Sequence, residues 1–139
     1  AHNVLGNTLF FLGEFALARE HLEEGIALYD LQKDNLLVSG YSQNPKVACL
    51  SVAAFALWFL GYPDRAQQRN HDALTLAYEL SHPYSLGFAL SFSAGFHQLR
   101  REVRPVQEQR ALITHSPYAE PGMGVRVRKA AKAERSALR

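Results

Sequence analysis

At 139 residues, with 47% hydrophobic and 20% charged side chains, the chain has the composition of one globular domain and not of a disordered segment. A single cysteine, Cys49, excludes an internal disulfide framework, and no neighbouring ligand spacing suggests zinc around it, which fits a reducing cytoplasm. The net charge of +2 is unevenly spread: residues 1–125 hold 9 Lys/Arg against 12 Asp/Glu, and residues 126–139 hold 6 against 1.

The chain starts inside an apolar-periodic pattern, which suggests a piece of a longer protein, and no basic region with a cleavage site opens it. The first unit runs from Leu5-Gly6 through Gly13 to Ala18, with Leu22, Gly25, Ile26 and Leu28 continuing at helical spacing. Small residues at Gly6 and Ala18 would let two antiparallel helices approach closely, and Gly13 suits the left-handed turn between them. Glu20, Glu23 and Glu24 fall on the expected solvent side of the second helix, where a solvated face explains them better than general acid–base work. From Tyr29 to Gln43 the polar and glycine content reads as an extended loop, of a length that is either functional or a plain solvated insertion.

Asn44-Pro45 reads as a cap followed by proline in the first turn, opening a second unit that reaches about Leu80. Ala53-Ala54 take the Leu-Gly place, Gly61 the turn, Tyr62-Pro63-Asp64 the start of the partner helix, and Ala66, Ala73 and Leu74 its inner face. The apolar run from Val47 to Leu60 is shorter than the roughly 20 residues of a membrane span and is expected to be a buried helix, so no membrane role is expected. His82-Pro83 opens a third unit, with Ser93-Ala94 at the crossing, Arg101 where a turn glycine would stand, and a weakly patterned last helix from about Glu102 to Ile113. Crossing points Gly6, Ala54 and Ala94 are 48 and 40 residues apart, longer than the ~34-residue period of a short helix–turn–helix repeat.

The stretches Leu5 to Phe15, Val47 to Ser51, Ala56 to Asp64 and Glu79 to Pro83 resemble tetratricopeptide repeats. More narrowly they resemble the helical C-terminal region of bacterial proteins that join a class III adenylate/guanylate cyclase to a predicted signalling ATPase. The run Leu57-Trp58-Phe59-Leu60-Gly61-Tyr62-Pro63-Asp64 is the most specific of them. The resemblance implies an all-α solenoid of about three antiparallel helix pairs over residues 1–113, serving as a non-catalytic interaction or regulatory module in signal transduction. ATP binding and cyclisation would belong to other domains of the parent, since no phosphate-binding Gly-x-x-x-x-Gly-Lys-Ser/Thr run occurs and Gly122-Met123-Gly124 lacks its context. Beyond about Leu112 the resemblance ends. Residues 114–139 form a basic tail, expected to be disordered, truncated or frame-shifted, where a final helical pair would be expected.

In such arrays the first helix of each unit lines a groove. By resemblance the groove positions are Asn3, Asn7, Phe10 and Phe11; Ser51, Phe55, Trp58 and Phe59; and Ser91, Gly95, Gln98 and Leu99. So apolar a groove suits a peptide or protein with apolar anchors, or another domain of the same chain. Equally, Phe55, Trp58 and Phe59 could pack against a neighbouring unit, making the segment a structural spacer in a longer array. Asn7 stands without the groove lysines of carboxylate-clamping arrays, so that mode is not expected.

Chemistry is not expected either. Histidines at positions 2, 21, 71, 82, 97 and 115 show no four-residue pair on one helix, so no metal site is assigned. His97 reads as a hydrogen-bonded core residue and His82 as part of a helix start. No nucleophile elbow accompanies the serines, and no catalytic residue or cofactor is assigned. The tail from Arg126 lacks interleaved aromatics, which argues against nucleic acid as the main partner.

Overall fold

The structure is a computed structural model that describes residues 2–31 and 44–114. These residues form six α-helices: α1 His2–Phe11, α2 Phe15–Leu31, α3 Pro45–Phe59, α4 Pro63–Leu80, α5 Pro83–Leu99 and α6 Val103–Thr114. Among the described residues there is no strand. No helix among them is long and apolar enough to cross a membrane.

The helices pair as α1 with α2, α3 with α4 and α5 with α6, and each pair is joined by the same short turn. Gly13 has φ 84°, Gly61 φ 88° and Arg101 φ 59°. At all three turns two backbone bonds close the preceding helix in a Schellman arrangement. Gly13 N–H donates to Phe10 and Glu14 N–H to Leu9; Gly61 to Trp58 and Tyr62 to Leu57; Arg101 to Gln98 and Glu102 to His97, all at 2.9–3.1 Å. The arginine thus occupies the left-handed position that the other two units give to glycine, and bears a steric cost that glycine avoids.

Proline opens α3, α4 and α5, where its missing N–H would have had no helical partner. Asn44 caps α3 by accepting from Lys46 N–H at 2.9 Å and Val47 N–H at 3.3 Å. Its own N–H donates to Ser85 Oγ at 2.7 Å, and the His82 side chain caps α5 through Ser85 N–H at 3.3 Å. The starts of two successive first helices are therefore clasped by polar contacts.

The first helices touch in series, α1 to α3 and α3 to α5, and α3 is enclosed by α1, α2, α4 and α5. Every position from Val47 to Leu57 except Phe55 is buried, and alanines at 48, 53, 54 and 56 let neighbouring backbones close in. The α1–α2 crossing is tight for the same reason: a β-carbon on Gly6 would stand 2.7 Å from Leu22 Cγ. One core cluster joins Ala18, Leu22 and Ile26 to Cys49, Leu50, Val52, Ala53 and Ala73; a second joins Val47 to Leu74, Ala77, Tyr78, Leu86, Ala89 and Leu90. A third holds Ala54, Leu57, Ala66 and Phe96.

Three expectations from sequence need adjustment. The loop expected from Tyr29 starts later, since α2 continues through Leu31; residues 32–43 lie outside the described residues, as does the expected basic tail from 115 onward. The last helix, weak in pattern, is present as α6 and runs to Thr114. Glu23 is not simply solvated. Its carboxylate meets the Arg69 guanidinium at 2.9 and 2.7 Å, joining α2 to α4.

Candidate interaction surface

Aromatic side chains run across the three first helices in continuous ring contact. Phe15, at the start of α2, stacks on Phe59 with centroids 5.0 Å apart, and Phe10 lies 6.2 Å from Phe59 and 6.3 Å from Phe55. From Phe55 the contacts continue edge-on to Phe92 at 5.6 Å, and Phe92 stacks on Phe88 at 4.5 Å. Such pairs favour tilted, edge-on and offset geometries because each ring has a negative face and a positive edge. Phe10, Phe55, Phe88 and Phe92 are half-buried, and Phe59 is 48% exposed. The strip is therefore both part of the core and open to contact.

Trp58 turns away from this strip. Its ring meets Phe96 edge-on at 5.7 Å, and the Arg100 guanidinium lies 6.0 Å from the Trp58 centroid and 5.8 Å from that of Phe96. Arg100 also donates to Gln67 Oε1 at 2.8 Å and pairs with Glu102 at 2.9 Å. On the other side of Glu102, His97 Nδ1 lies 2.5 Å away. The His97 bond, followed by Arg100, holds the Glu102 carboxyl below its usual range. His97 is hydrogen-bonded as expected, but it is half-buried and not a core residue.

The remaining groove positions divide into four groups. Asn3 and Asn7 bond to each other, Asn7 Nδ2 donating to Asn3 Oδ1 at 3.2 Å, while Asn7 Oδ1 is out of solvent and has no partner among the described residues. Ser91, Gly95 and Gln98 line a cavity of about 650 Å3 between α5 and α6, together with Ala94, Val103 and Val106. Ser51 is a correction: at 2% exposure it lies in the interior, because α3 is covered on every side at that level, and it cannot reach a partner. Phe11 and Leu99 are exposed, at 77% and 41%.

Reading by repeat position missed Phe15, Phe88, Phe92 and Arg100. The signal for the α5 residues was present, since Phe88, Phe92 and Phe96 recur every four residues and so share one helix face. Also missed was the meeting of His2 and His21, which lie on different helices and come together only when α1 folds back on α2. Cys49 is fully buried beside Gly25, and desolvation pushes its thiol up to about 11, so it is held as the neutral thiol.

Paired helices, a left-handed turn inside each pair and first helices in series are the geometry of stacked helical repeats. The family model described as Tetratricopeptide repeat matches residues 1–24 and 47–69, the first pair up to mid-α2 and the second up to mid-α4. The array is a tetratricopeptide-like α-solenoid. Comparison with curated proteins and with solved structures gave no match. Tetratricopeptide repeats serve protein–protein interaction, and in this array the aromatic strip occupies their first helices.

Proposed function

We propose that this chain is a non-catalytic interaction module that receives an apolar or amphipathic segment of a protein, in trans or from its own parent chain, on the Phe10–Phe55–Phe59 strip. The observation that carries the reading is the ring continuity of that strip combined with the 48% exposure of Phe59. Rigid aromatic rings offer large contact area at little entropy cost, which is why they dominate binding energies at interfaces. Phe59 stands toward the Phe15 end of the strip, stacked on Phe15 and beside Phe10, so it is already held in place.

Selection of peptides against the whole chain, followed by titration with a Phe59→Ser variant, tests this. The variant should keep its helical circular dichroism and lose about 2 kcal/mol of affinity, as for an aromatic anchor. Equal affinity in the variant would remove the strip as the binding face.

The finer reading places the module in a bacterial signalling ATPase or nucleotide cyclase of the cytoplasm, where it would regulate the attached enzyme. Its support is the Leu57 to Asp64 run. An in-frame cyclase domain and phosphate-binding loop upstream in the gene would bear on it directly, and a different upstream domain would reject it.

A second reading, a spacer within a longer array, is favoured by the apolar residues exposed at both ends: Val4, Leu5, Leu12 and Leu17 on the first pair, Val103 and Leu112 on the last. A longer chain in which neighbouring units bury the Phe59 ring would favour the spacer. A contact between the basic tail and nucleic acid stays the weakest proposal, and binding that does not weaken with salt would count against it.

A further inference from the structure

Where α1 begins, three metal-ligating side chains converge from two helices. His2 Nδ1 lies 3.3 Å from His21 Nδ1 and 3.1 Å from Glu24 Oε2, and His21 Nδ1 lies 3.7 Å from the same oxygen. Zinc bonded tetrahedrally to nitrogen and oxygen at about 2.0–2.1 Å keeps its ligand atoms about 3.4 Å apart. The three observed edges bracket that spacing.

The backbone prepares this arrangement. His21, Glu24 and Gly25 occupy positions i, i+3 and i+4 of α2 and share one face. Gly25 has no side chain in the way: a β-carbon there would stand 3.5 Å from His2 Cβ and 3.1 Å from Cys49 Sγ. The start of α1 is thereby seated directly over the α2 face that carries His21 and Glu24. The rings of His2 and His21 sit 5.5 Å apart at 33° to each other. If both Nδ1 atoms donate to Glu24, the 3.3 Å Nδ1···Nδ1 edge is left without a bond, because two N–H groups cannot donate to each other. A cation at the centre satisfies all three atoms together.

We infer that His2, His21 and Glu24 form a site for a borderline divalent transition ion of the zinc type, clamping α1 to α2. Two imidazoles and one carboxylate select zinc or cobalt over magnesium or calcium, whose preferred ligands are all oxygen. The three side chains are 36%, 30% and 60% exposed, so a water completes the fourth position from the solvent side. The site stands apart from the aromatic strip and does not depend on what that strip binds.

The test is titration of the full chain with zinc chloride by calorimetry, and with cobalt chloride by visible absorption. One zinc should bind per chain and raise the melting temperature, and cobalt should give the intense bands of a four-coordinate ion. His21→Ala and Glu24→Gln should each weaken zinc binding by more than about tenfold, since loss even of a group behind the ligands costs that much. His71→Ala, on α4, should bind as the wild type does. Circular dichroism without metal confirms that each variant is folded, and His2→Ala supplies an independent ligand deletion at the helix start. Failure to bind zinc, a cobalt spectrum unchanged from the aqueous ion, or equal affinity in His21→Ala and His2→Ala would each overturn the site.

Discussion

Arg69 of α4 grips Glu23 of α2 with two parallel hydrogen bonds, from Nε at 2.9 Å and from its terminal nitrogen at 2.7 Å, while a third contact at 3.3 Å reaches Asp72. The first helices of successive pairs pack side by side, α1 on α3 and α3 on α5, whereas α2 and α4 are joined by this long side-chain bridge. The Glu23 bond raises the Arg69 guanidinium further above its ordinary range. Both side chains are 28% exposed, so the pair is partly shielded from water. Glu23→Gln and Arg69→Met should each cost about 1 kcal/mol, and in a double-mutant cycle the coupling should be of similar size. Chemical denaturation of the four proteins checks this; purely additive losses would mean that the bridge contributes nothing of its own.

Two glycines should respond oppositely to alanine. At Gly6 the new β-carbon would sit 2.7 and 2.8 Å from Leu22 Cγ and Cδ2, forcing α1 away from α2, so Gly6→Ala should destabilise by about 1–3 kcal/mol. At Gly87, inside α5, nothing lies within 4 Å of the added methyl, and Gly87→Ala should stabilise by about 1 kcal/mol through helix propensity. Thermal melts of the two variants should move in opposite directions.

Arg101 holds φ 59° at the turn that Gly13 and Gly61 make in the other pairs. Arg101→Gly should relieve a left-handed strain of about 1 kcal/mol, and Gly61→Ala should introduce a similar one. The check is the denaturation midpoint at constant slope. Because Glu102 N–H still donates to His97 in the glycine variant, the turn itself should be retained.

The Glu102 carboxyl is lowered first by its bond from His97 and then by Arg100. A depressed carboxylate stabilises the fold above its unfolded value, about 4.3, and that stabilisation is lost as pH falls through the lower folded value. Between about pH 5 and pH 2 the wild type should therefore lose stability more steeply than Glu102→Gln, which has no proton to take up there. Parallel pH titrations of the melting temperature would show it, and superimposable curves would exclude Glu102 as a contributor.

The helix pairs were legible because their punctuation is chemical. Pro45, Pro63 and Pro83 can stand only where a helix begins, and Gly13 and Gly61 mark the left-handed ends. The close-approach residues Gly6 and Ala18, the crossing Ala54 and the inner-face Ala66 were legible for a related reason, since small side chains are where helices meet. Ser51 was misread because α3 has small or apolar residues on all sides, so periodicity cannot say which side faces out. Glu23 with Arg69, and His2 with His21, are 46 and 19 residues apart, and only the angle between packed helices decides that they touch. Phe15 lay just past a turn, outside the first-helix pattern, yet it is the ring that backs Phe59.

The enclosure of α3 by four other helices determines where this protein can come apart. In a repeat array each unit is held by its neighbours, so helices that bury little open before a helix enclosed by others. Among the described helices, α1 buries only Gly6 and α6 only Gln109, whereas α3 buries ten residues. Amide protons of α3 should thus outlast all the others in exchange with deuterated water, at a rate set by global opening, while those of α1 and α6 exchange by local fraying. A cation that pins α1 to α2 would act at one of the two places where opening starts.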